Sequence, residues 1–89
     1  MAKTVDGRPP LQRSLDEAAG LKPGTWESVE ALALLAIEAK DLPEGARLRD
    51  AAHTAADGLK PGTWESVKAL AWVARADREL LDTRSADTA

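Results

Sequence analysis

From Leu11 onward, apolar residues recur every three or four positions, and the periodic runs are separated by short stretches rich in Gly, Pro, Thr and Asp. That spacing predicts four helices, over 11–19, 25–41, 44–57 and 63–81. In the first, Leu11, Leu15, Ala18 and Ala19 share one face, with Gln12, Arg13, Asp16 and Glu17 opposite. The second is apolar almost all round through "ALALLAI", which predicts the most buried element, touching neighbours on more than one side. The third sets Leu48, Ala51, Ala52, Ala55 and Ala56 against Arg49, Asp50, His53 and Asp57. Period-two alternation of β-branched residues occurs nowhere, so the expected class is all-α.

The decapeptide "GLKPGTWESV" stands at 20–29 and again at 58–67 without a difference. Read locally, it stops one helix and starts the next. Gly20 and Gly58 sit where a left-handed C-terminal residue belongs, so a β-branched replacement such as Gly20→Val is expected to be costly. Leu21 folds back onto Leu15, Pro23-Gly24 suits a type II turn, and Thr25 is a good N-cap. Aligned at an offset of 38, the segments 20–33 and 58–71 share thirteen of fourteen residues. Beyond them the halves diverge, with Leu34 facing Trp72 and Ile37 facing Arg75.

The predicted architecture is an antiparallel four-helix bundle over 11–81, built from two helical hairpins at about 11–42 and 48–80. The segments 1–10 and 82–89 are expected to lack order. Up-down-up-down closure puts both copies of the decapeptide at one end, related by an approximate two-fold axis. That end then displays Trp26, Trp64, Lys22 and Lys60.

Composition narrows the function. A chain of 89 residues with about a fifth Ala, no Phe, no Tyr and no Cys has a thin core and no staple. The formal charge of −3 comes with no basic cluster, which argues against a nucleic-acid partner. No stretch approaches the roughly 20 apolar residues that span a bilayer, and "MAKTVDGRPP" lacks the apolar run of a secretory signal. The expected setting is therefore cytoplasmic, without a membrane.

Catalytic chemistry finds little support. His53 is the only histidine and lies on a polar face beside Asp50 and Asp57; a metal site needs more ligands, and a triad needs a nucleophile beside its base. Asp16 with Glu17, and Asp41 with Glu44, lack an apolar pocket to raise a carboxyl pKa. No catalytic residue, metal or cofactor is expected, and the chain reads as a non-enzyme.

Contact chemistry is better supported, because Trp is enriched at binding hot spots. Trp26 and Trp64, with Lys22 and Lys60, form one candidate surface. Trp72 and Leu34 form another, with Trp72 flanked by Lys68 and Arg75 at helical spacing. Glu27 and Glu65 in the first turns oppose an anion at the helix N-termini. The preferred partner is a second copy, a homodimer, because an Ala-rich core buries little area. The alternative is a small ligand or peptide held between the two turns.

Two family resemblances follow from these residues. Leu11, Leu15, Ala18, Leu21, Thr25, Glu27, Ser28 and Leu32 have a spacing similar to the opening of FIVAR modules, small three-helix bundles of cell-surface and carbohydrate-active proteins. The match spans about 11–59 and departs at Val29, where the module has Trp. Gly20, Leu21, Pro23 and Thr25 also resemble a helix-hairpin-helix motif, which implies backbone amides on DNA phosphates. There Lys22 replaces the second glycine and Trp26 a small residue.

Overall fold

The computed structural model describes residues 7–88, with side chains described over 7–81. Four helices follow one another: α1 (Pro10–Ala19), α2 (Trp26–Glu38), α3 (Glu44–Asp57) and α4 (Trp64–Thr88). No strand occurs among the described residues, so the all-α expectation holds. α2 ends at Glu38 rather than at 41, and the chain turns tightly through Ala39 to Pro43. The backbone of α4 runs on to Thr88, past Leu81 where apolar periodicity stops. The expected disorder of the N-terminal segment falls, for residues 1–6, outside the described residues.

The helix boundaries have local causes. Pro10 opens α1, where a missing N–H removes a group that would be unpaired anyway. α2 and α4 open on reciprocal caps. The Ser28 N–H donates to Thr25 Oγ1 at 3.1 Å, and the Thr25 N–H donates to Ser28 Oγ at 3.2 Å. Thr63 and Ser66 repeat the pattern at 3.0 and 3.2 Å. Each serine hydroxyl also donates to its threonine carbonyl, so Ser28 and Ser66 are part of the cap itself.

The closing turns correct the sequence reading. Gly20 has φ −96° and Gly58 φ −90°, neither of them left-handed. Each ends its helix through 3₁₀-type bonds, Gly20 N–H to Glu17 O at 3.1 Å and Gly58 N–H to Ala55 O at 3.2 Å. A Cβ at either position meets only ordinary contacts. The predicted cost of Gly20→Val and Gly58→Val from left-handed strain is therefore withdrawn. Among described residues the positive φ belongs to Gly62 alone, at 110°, and not to Gly24 in the matching turn. Gly62→Ala is expected to cost about 1 kcal/mol, whereas Gly24→Ala is neutral or slightly stabilising. Paired denaturant titrations check this, and equal effects at the two sites would contradict the assigned turns.

α2 is the hub, packing against α1, α3 and α4. Its buried stripe of Val29, Ala33 and Ala36 meets Leu48, Ala52 and Ala56 of α3 and Ala69, Val73, Ala76 and Leu80 of α4. Most of these residues are alanines, so the backbones lie close and few large side chains fill the core. Gly45, in the first turn of α3, is buried where that turn crosses the end of α2. The packing is that of a helical bundle in its coarse form. Among the described residues the α1 backbone approaches α2 alone, with a groove lined by Leu15, Ala18, Arg47 and Leu48 between α1 and α3, and the molecule measures 44 × 39 × 17 Å.

Candidate functional site

The two decapeptides start from the same local geometry and end in different surroundings. The Trp26 indole N–H donates to the backbone carbonyl of Lys60 at 3.0 Å, so the first turn is docked onto the second. Trp26 is half-buried against the core. Trp64 is 84% exposed. A two-fold axis would make these residues equivalent, so the expectation of a symmetric pair of turns is corrected.

The difference extends along both helices. In α2, Val29, Ala33 and Ala36 are fully buried, whereas their counterparts in α4, at +38, are Val67 at 54% exposure and the exposed Ala71 and Ala74. Leu32 is half-buried and its counterpart Leu70 exposed. α4 therefore buries another face, carrying Ser66, Ala69, Val73 and Ala76, and leaves the stripe Trp64, Val67 and Leu70 in solvent.

The turns are close, yet the groove between them holds neither tryptophan. It has a volume of about 550 Å³ and is lined by Pro23, Gly24, Ala55, Gly58 and Leu59, among others. A smaller apolar groove of about 250 Å³ lies between the end of α1 and α2, lined in part by Leu21, Pro23, Ala31 and Leu35. Leu21 is 72% exposed, so it does not fold away onto Leu15 as expected.

The remaining candidates are dispersed. Lys22 and Lys60 are both exposed, and Lys60 contributes through its carbonyl rather than its ammonium. Trp72 is half-buried against the core, with the Arg75 guanidinium 5.6 Å from its ring centroid. Leu34 is exposed. His53 is paired with neither Asp50 nor Asp57, the neighbours on its own helix. Its Nε2 lies 2.8 Å from Asp77 Oδ1 on α4, with Arg49 Nε 3.7 Å from the same oxygen. Among the described residues no three His, Asp or Glu side chains converge as metal ligands. No helix among them is long and apolar enough to cross a membrane.

Sequence reasoning missed Val67, Leu70 and Leu21 as surface residues. The signal lay in the repeat: two identical stripes in a chain with one small core cannot both be assumed buried. Comparison with known protein families, with curated proteins and with solved structures finds no match.

Proposed function

We propose that the chain is a non-enzymatic helical protein-interaction module that self-associates, built from two antiparallel helical hairpins of one plan. One observation carries this reading: the stripe Trp64, Val67 and Leu70 is exposed on α4, while the same sequence in α2 is half-buried or fully buried against protein. The pattern that makes an interior contact once is presented to solvent the second time. Apolar residues grouped in this way on a small domain mark a protein contact more often than scattered exposure does. The thin alanine core supports the same view, because association adds the apolar burial that a chain of this size lacks.

Light scattering tests the proposal. The wild type is expected to gain mass with concentration, and Trp64→Ala to remain monomeric with its helical content unchanged. A wild type that is monomeric throughout would remove self-association as the function.

A further inference from the structure

We infer that the chain associates head to tail: the Trp64 stripe of one copy enters the groove between α1 and α2 of the next, and Trp64 donates its indole N–H to the Lys22 carbonyl there. The inference rests on the reading of the chain as a self-associating module and specifies the surface that meets the stripe.

The molecule already contains one such junction. Within the chain, Trp26 of the first hairpin docks on Lys60 of the second. Advancing each partner by the 38-residue offset turns Trp26 into Trp64, and Lys60 into the position that Lys22 occupies in a following copy. The donor stripe for this second junction is present and exposed.

The receiving surface is present too. In the second hairpin, Leu59 is half-buried, and Ser66, Ala69 and Val73 are buried in the core shared with α2. Their counterparts in the first hairpin are Leu21, Ser28, Ala31 and Leu35, and all four line the 250 Å³ apolar groove. That groove corresponds to the α4 part of the surface on which α2 rests, and no described residue covers it. Its volume falls below the roughly 300–1,000 Å³ of small-molecule pockets and suits a side chain from a partner. The correspondence is poorer on α1, where Pro10, Ser14 and Glu17 stand for Leu48, Ala52 and Ala55, and at the end of α2, where Glu38 stands for Ala76, so the new junction is weaker than the internal one.

Charge agrees with the same register. The internal junction pairs Glu30 with Lys68 at 3.6 Å and Lys40 with Glu79 at 3.7 Å. Advanced by one hairpin, these pairs become Lys68 with the next copy's Glu30 and Arg78 with the next copy's Asp41. Opposite signs meet in both. Position 30 against 68 is also the one difference in the fourteen-residue match, and two glutamates there would repel at every junction. A junction of this type is heterologous, with different surfaces on the two sides, so each joined pair still has one free donor and one free acceptor and the assembly can grow.

Complementation tests the inference. Trp64→Ala removes the donor, and Ala31→Arg fills the acceptor groove from an exposed helical position that tolerates Arg. Circular dichroism checks that both variants fold, and Val67→Asp serves as a second donor variant. Wild type is expected to grow past a dimer with concentration, each variant alone to stay monomeric, and an equimolar mixture of Trp64→Ala with Ala31→Arg to give a heterodimer that grows no further. If Ala31→Arg assembles like the wild type while Trp64→Ala does not, the stripe pairs with itself or with another surface; head-to-tail docking is then wrong, and self-association stands. If wild type is monomeric throughout, the underlying reading fails together with the inference.

Discussion

Gly45→Ala is expected to destabilise the protein, although the same replacement in an exposed helix would stabilise it. Alanine is better than glycine by about 1 kcal/mol in a helix interior, because glycine loses more backbone freedom on folding. At position 45 geometry opposes that gain. A Cβ built there lies 2.5 Å from the Ala39 carbonyl oxygen and 3.1 Å from the Ala39 carbonyl carbon and Lys40 Cα. All three are backbone atoms, so no side chain can rotate away.

The segment beside Gly45 has little room to yield. The Leu42 N–H donates to Ala39 O at 2.8 Å, and the Gly45 N–H donates to Leu42 O at 3.1 Å. Accommodating the methyl group means moving the end of α2 away from α3, in the pair of helices that carries much of the core. Overpacking of this kind costs about 1–3 kcal/mol, which lowers the melting temperature by several degrees for a domain of this size. Gly45→Val adds a β-branched side chain to the same clash and is expected to leave the chain largely unfolded. Denaturant midpoints check the series, and a Gly45→Ala variant as stable as wild type would show that the α2–α3 crossing is looser than described.

Gly45 also shows where a sequence stops being informative. "DLPEG" reads correctly as a helix boundary, because Pro and Gly punctuate the chain through their own backbone preferences. The reason for glycine at 45 is the approach of a carbonyl six residues earlier, and no local pattern contains that. The same division runs through the molecule. The extents of α1 and α3, the faces of α3 and the caps at Thr25 and Thr63 depend on residues within one or two helical turns, and all were readable. His53 reads as a solvated surface residue and is exposed, but its contact with Asp77, 24 positions away on α4, has no trace in the local pattern.

The candidate site was harder to read for a further reason. Trp26 and Trp64 have identical neighbours from 20 to 29 and from 58 to 67, so no local argument can tell them apart. What separates them is what each meets in the folded chain: Trp26 docks on the Lys60 carbonyl at the edge of the core, whereas Trp64 faces solvent. A closed two-fold bundle erases that distinction and hides the uncovered surface. The unequal burial of Val29 and Val67 exposes it.

Substituting each tryptophan in turn therefore gives opposite results from identical sequences. Trp26→Ala removes a half-buried indole from the core edge and leaves the Lys60 carbonyl without its donor. Full truncation of a core aromatic costs about 3–5 kcal/mol, and partial exposure lowers the expected loss to about 2–4 kcal/mol. Trp26→Phe keeps most of the apolar contact and loses the hydrogen bond, for about 1 kcal/mol. Trp64→Ala removes a solvent-facing ring and is expected to change monomer stability by less than about 0.5 kcal/mol. Because association would stabilise the wild type through mass action, the comparison belongs at low protein concentration, with stability followed by circular dichroism. At high concentration the ranking should narrow, since only Trp64→Ala gives up the stabilisation that assembly provides. Equal losses at the two positions at low concentration would mean that both tryptophans serve the monomer, and the exposed stripe on α4 would lose its claim to be an unused copy of an interior contact.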